Sequence, residues 1–131
     1  MIQGEFQVRT SRRIETVDIT TEVARIVQDA GDGICVVYTP HTTTAVGINE
    51  GADPDVMGDI ERTLERLFPH RGDYRHGEGN SDAHLKSILV GASETIFVDG
   101  GRLQLGRWQS IYFCEFDGPR TRTVHVRMLS E

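Results

Sequence analysis

One lysine, one tryptophan and two cysteines are all that 131 residues hold of three side chains on which much protein chemistry rests. Lys86 is the single lysine, the thirteen arginines are scattered, and the formal net charge is −6. Nucleic-acid faces need clustered positive charge to displace counterions from phosphates, so a nucleic-acid partner is not expected. Anionic small molecules remain compatible with these arginines. Cys35 and Cys114 both sit in apolar, strand-like runs, where cysteines act as buried small hydrophobes; free thiols are expected rather than a disulfide. No apolar run approaches the roughly 18 residues of a membrane helix, so no membrane partner is expected. The opening Met1-Ile-Gln-Gly-Glu-Phe6 has no basic stretch ahead of an apolar core, and the expectation is a cytoplasmic protein. There is no paired CxxC, no GxSxG nucleophile elbow and no P-loop glycine motif.

What is present reads as one domain over residues 1–131, within the usual size range. Residues 2–9 alternate apolar and polar with the period of a half-buried strand, and residues 13–19 do the same, so the opening suggests a β-hairpin. Thr20 can cap a helix over 21–30 that ends at Gly31. Ile34–Tyr38 and Thr44–Ile48 read as strands, joined by a loop carrying His41. Asp53 before Pro54 is a strong helix start, and the apolar stripe Met57, Ile60, Leu64 and Leu67 runs to Pro69. After a polar loop from His70 to Asn80, Ser81 caps a helix over 82–90 with Leu85, Ile88 and Leu89 toward the core. Asp99-Gly-Gly101 suits a hairpin turn between strands 94–99 and 102–105. Strands near 107–116 and 121–128 close the chain. About eight strands and three helices, without strict alternation, imply an α+β, mostly antiparallel fold.

Four of the five histidines, His41, His70, His76 and His84, precede residue 85. The segment His76-Gly-Glu78-Gly-Asn80-Ser-Asp82-Ala-His84 is the densest in polar chemistry, and glycines at 77 and 79 allow tight turning. Three neutral imidazoles with an open fourth position describe a catalytic zinc-type site. The spacing matches no compact metal motif, however, and the alternative is imidazoles bonded to loop backbone. His125 reads as a surface-facing strand residue, and His70 as a cap on helix carbonyls. Asp53 and Asp55 are explained by helix capping and the helix dipole, whereas Glu50 has no such assignment and is open to a role as general base, as a ligand to metal-bound water, or as a solvated surface charge. In Glu115-Phe-Asp117-Gly-Pro-Arg120-Thr-Arg122, a turn presenting Asp117 and Arg120 suits an anion or a metal, or an Asp–Arg pair bracing the turn. Trp108 is open to core packing or to stacking on an aromatic ligand.

Three stretches also carry a resemblance. Pro40-His-Thr-Thr-Thr-Ala-Val-Gly-Ile-Asn-Glu50 with Asp53-Pro-Asp55, His76-Gly-Glu-Gly-Asn-Ser-Asp-Ala-His-Leu-Lys86, and Leu105-Gly-Arg-Trp-Gln109 with Glu115-Phe-Asp-Gly-Pro-Arg120 together resemble the YjbQ family, also called UPF0047, across nearly the whole chain. The resemblance implies a β-sandwich carrying helices and assembling as a homotrimer. It implies a secondary thiamine-phosphate synthase, which joins a hydroxymethylpyrimidine diphosphate to a thiazole phosphate and releases pyrophosphate. It also turns His41, His76 and His84 into the expected metal ligands of a shared polar site, with zinc there or magnesium arriving on the diphosphate. On this view Glu78, Glu50 and Arg120 are the expected catalytic groups, and Asn80, Lys86, Trp108, Gln109, Asp117 and Arg122 the expected substrate contacts. Two other readings stand beside it: a zinc hydrolase in which Glu78 or Glu50 activates water, and a non-catalytic metal- or anion-binding trimer.

Overall fold

A computed structural model describes residues 2–130. Among them, eight strands and three helices run in the order β1 (Ile2–Arg9), β2 (Glu15–Asp18), α1 (Thr20–Val27), β3 (Gly33–Tyr38), β4 (Thr44–Glu50), α2 (Pro54–Leu67), α3 (Ser81–Val90), β5 (Ser93–Asp99), β6 (Arg102–Leu103), β7 (Gln109–Glu115) and β8 (Thr121–Ser130). Every strand pairing is antiparallel. The expected α+β class holds. One sheet has the order β1-β8-β3-β5-β6 and the other β2-β7-β4. The opening hairpin does not form: β1 pairs with β8, and β2 pairs with β7 in the opposite sheet. Strand periodicity locates a strand but is blind to its partner, because either partner buries the same alternate residues.

The sheets face each other over a shared core. Cys35, Val37, Ile96, Val98, Val124 and Val126 come from the larger sheet, and Val46, Ile111 and Phe113 from the smaller. Val23 and Val27 of α1 complete that core. β7 is apolar on both faces because both are covered: Ile111 and Phe113 face the sandwich, while Tyr112 and Cys114 join Met57 of α2 and Ala83 of α3. Burial alone accounts for the raised thiol pKa of Cys35, and it is the main cause of the rise at Cys114, to about 12. Both are free thiols. Among the described residues, no helix is long and apolar enough to cross a membrane.

Helix α3 departs from the expected pattern. Leu85, Ile88 and Leu89 are exposed, and the buried residues are Asp82, Ala83 and Lys86. The small Ala83 lets α3 lie close on the smaller sheet, where Ser87 Oγ donates to the Thr44 carbonyl at 2.6 Å. Asn80, rather than Ser81, is the residue before the first turn. This packing brings the start of α3 to the end of the sandwich where β3 and β7 finish and where β4 and β8 begin.

Candidate functional site

Three loops meet at that end. The β3–β4 loop brings His41, the β7–β8 loop brings Asp117 and Arg120, and the entry to α3 brings Glu78, Asn80 and His84. With Arg122 of β8 they line a cavity of about 330 Å³. The Phe116 backbone N–H donates to the Thr43 carbonyl at 3.1 Å and ties the first two loops together. A wider cleft of about 830 Å³ shares His41 and His84 and continues past Tyr38, Tyr74, Leu85 and Ile88. Tyr74 is anchored by its hydroxyl, which donates to the Pro69 carbonyl at 2.7 Å; His70 Nε2 donates to the Gly79 carbonyl at 3.0 Å. His70 thus braces its own loop rather than capping α2.

Arg122 is the best-held cation. Nearly buried, it donates from Nε to Glu115 Oε1 at 2.9 Å and from Nη2 to Glu115 Oε2 at 2.5 Å and Thr43 Oγ1 at 2.8 Å. Glu115 has no exposed surface and also accepts from Thr10 Oγ1 at 2.8 Å. These bonds fix the guanidinium plane and leave Nη1 without a partner among the described residues, on a side chain that lines the cavity. Arg120 is more open. It donates from Nε to the Asp117 carbonyl at 2.8 Å and from Nη2 to Asp117 Oδ2 at 3.2 Å, again leaving Nη1 free among the described residues. Asn80 Nδ2 donates to the same Asp117 oxygen at 2.9 Å. Asp117 therefore braces the turn and positions both neighbours, and both guanidinium side chains line one small cavity. Guanidinium edges match a phosphate group.

The expected three-histidine metal shell does not form. His41 Nε2 accepts the Thr123 backbone N–H at 2.9 Å, which occupies its lone pair. His76 stands edge-on to His84 with ring centroids 5.4 Å apart, and its Nε2 lies 3.8 Å from Glu78 Oε2. His76 is absent from the cavity lining. No group of three His, Cys, Asp or Glu side chains among the described residues is arranged to hold an ion. The histidines cluster in sequence, but one of them is committed to the β8 backbone, which the sequence does not reveal.

Four other expected site residues also lie elsewhere. Lys86 is fully buried on α3 and paired with Asp82 at 2.9 Å and with Glu65. Position i+4 from Asp82 on the buried face explains why its charge never reaches the cavity. Glu50, Trp108 and Gln109 gather at the far end of β4, roughly 20 Å along the strand from Thr44. There Glu50 Oε2 accepts from the Ala52 and Asp53 backbones at 2.8 and 3.3 Å and shapes the turn into α2. Gln109 Oε1 accepts from Gly106 N at 2.7 Å, and the exposed Trp108 ring carries Arg107 at 4.7 Å. Sequence reasoning missed Arg13, Thr43 and Glu115. Arg13 grips Asp82 with two bonds, 2.9 and 3.0 Å, and reaches Asp117 at 3.9 Å. Glu115 is legible in the sequence as the first residue of the Glu115–Arg122 segment, but nothing there gives it a role.

The sequence profile described as "UPF0047 protein YjbQ-like" matches residues 4–131. The chain belongs to the YjbQ family. It is 51% identical over 128 residues to the UPF0047 protein YugU of Bacillus subtilis, covering 95% of this chain and 96% of that one. A UPF0047 protein of Methanocaldococcus jannaschii is 46% identical over 129 residues, covering 97% of this chain and 94% of the relative. Among solved structures, a hypothetical protein of Aeropyrum pernix superposes with a TM-score of 0.95 at 43% identity over all of both chains. A YjbQ-family protein of Clostridium acetobutylicum does so with 0.93 at 49% identity, covering 95% of this chain and 98% of that one. The YjbQ fold is thus shared along the full length of the described chain.

Proposed function

We propose that this YjbQ-family chain is an enzyme that binds a phosphorylated small molecule, and that it acts as a secondary thiamine-phosphate synthase. The observation that carries the reading is the buried Arg122, locked by Glu115 and Thr43 and lining one small cavity together with Arg120. In the reaction, the C–O bond between the pyrimidine methylene and the diphosphate breaks, and the electron pair leaves with pyrophosphate. The thiazole nitrogen supplies its lone pair to the same carbon, so a C–N bond forms and the ring nitrogen becomes cationic. No proton needs to move. Negative charge growing on the departing oxygens meets the two guanidinium edges, which are already oriented. The wider cleft along Tyr74, Leu85 and Ile88 offers apolar walls for the rings, and Glu78 and Asn80 line the small cavity that adjoins it at His41 and His84. Magnesium enters this scheme as a partner of the diphosphate, part of the substrate. Assembly as a homotrimer belongs to the same proposal.

The deciding assay mixes the two phosphorylated precursors with magnesium and the purified protein and follows thiamine phosphate. Arg120→Ala is expected to lower kcat/KM by about 10²–10³-fold with the fold intact. Pyrophosphate binding without any turnover would leave a binding protein instead of an enzyme.

A further inference from the structure

His41 lines both the small cavity and the wider cleft. The contact that removes it from a metal shell also defines what it can do. A backbone N–H can only donate, so the Thr123 N–H at 2.9 Å requires an unprotonated lone pair on His41 Nε2. A neutral imidazole carries one proton, which must then sit on Nδ1. Nδ1 has no protein partner among the described residues, is not closed off from solvent, and belongs to a side chain lining both the small cavity and the cleft. The neighbouring charges agree. Burial and the Arg122 cation press the imidazole below its ordinary pKa, and the Glu115 carboxylate only partly opposes them.

Resting on the phosphate-site reading above, we infer that His41 is a neutral hydrogen-bond donor, its Nδ1–H fixed by the Thr123 backbone and directed at the bound diphosphate beside Arg120 and Arg122. It donates a hydrogen bond and transfers no proton. Its role excludes ligation of zinc through either nitrogen in this arrangement, because Nε2 is occupied and Nδ1 carries hydrogen. The ligand class follows: a diphosphate or phosphomonoester whose phosphate oxygens meet N–H donors on the protein's side.

Side-chain variants separate the two nitrogens. His41→Gln keeps an acceptor near the Nε2 position for Thr123 and removes the Nδ1 donor. His41→Asn places an amide N–H near Nδ1. Calorimetric titration with pyrophosphate, in buffer free of divalent ions, is expected to show roughly tenfold weaker binding for His41→Gln and binding within about threefold of the parent for His41→Asn. Long-range ¹H–¹⁵N correlation of the unaltered protein at neutral pH is expected to report the Nδ1–H tautomer for the ring signals that vanish in His41→Gln. An Nε2–H tautomer overturns the assignment. So does one equivalent of zinc retained on dialysis by the parent and lost by His41→Gln. Pyrophosphate binding equally to parent and His41→Gln overturns the donor role while leaving the phosphate site standing; no pyrophosphate binding to either removes the site itself.

Discussion

Lys86 and Asp82 lie four residues apart on α3 with no side-chain surface exposed, and their charges are satisfied by each other, by Glu65 and by Arg13. A buried pair of this kind adds little over apolar packing but is costly to break, since the partner left behind is a desolvated charge. Lys86→Ala is therefore expected to cost about 3–5 kcal/mol, read as a lowered midpoint in urea unfolding. Burial pushes the Asp82 carboxyl up, yet hydrogen bonds from Arg13 and Lys86 outweigh it and bring the group down to about 2, against an ordinary 3.8. Because the unfolded chain then takes up the proton more readily, the stability from this group is complete above about pH 4. It is lost as the pH falls toward 2. Asp82→Asn should flatten that acid limb, which unfolding midpoints measured from pH 5 to pH 2 will show. Arg13 extends the same network to Asp117, so charge deep under α3 and the geometry of the cavity are mechanically linked.

At the scale of elements, α3 is inverted relative to a common amphipathic helix. Its apolar Leu85, Ile88 and Leu89 look outward or along the cleft, and its ion pair looks inward. Ala83 permits this, since a larger residue would lift the helix from β4 and carry Asn80 and His84 away from His41. Ala83→Leu is expected to destabilise the fold by about 1–3 kcal/mol through overpacking and to weaken pyrophosphate binding with it. Leu89→Glu, at an exposed site, should stay within about 0.5 kcal/mol. Thermal unfolding of the two variants beside the parent tests the orientation of α3 directly.

On the scale of the whole molecule, the five-stranded sheet has an uncovered outer face. Phe97, Ile34 and Leu129 form one cross-strand row, and Tyr38 and His125 another, with Phe97 69% and Leu129 50% exposed. Contiguous apolar surface of this sort on a folded domain marks an interaction site. As part of the proposed assembly, light scattering behind size exclusion is expected to give a mass three times the 14.6 kDa of one chain. Leu129→Asp combined with Phe97→Asp is expected to yield monomers that keep their circular dichroism. A monomeric parent would refute the trimer.

The amino-acid sequence on its own determined the class of fold, the places of the helices and nearly all strands, the cap at Asp53 and the family. It did so because apolar periodicity, proline and glycine positions and short motifs act through neighbours along the chain. Tertiary structure alone decided that β1 joins β8, that α3 buries Lys86, and that Glu50, Trp108 and Gln109 stand a strand's length from the cavity. It also decided that one backbone N–H, that of Thr123, takes the lone pair a metal would need from His41. Residues 82 positions apart cannot register each other in a local pattern; only packing brings them within hydrogen-bonding distance.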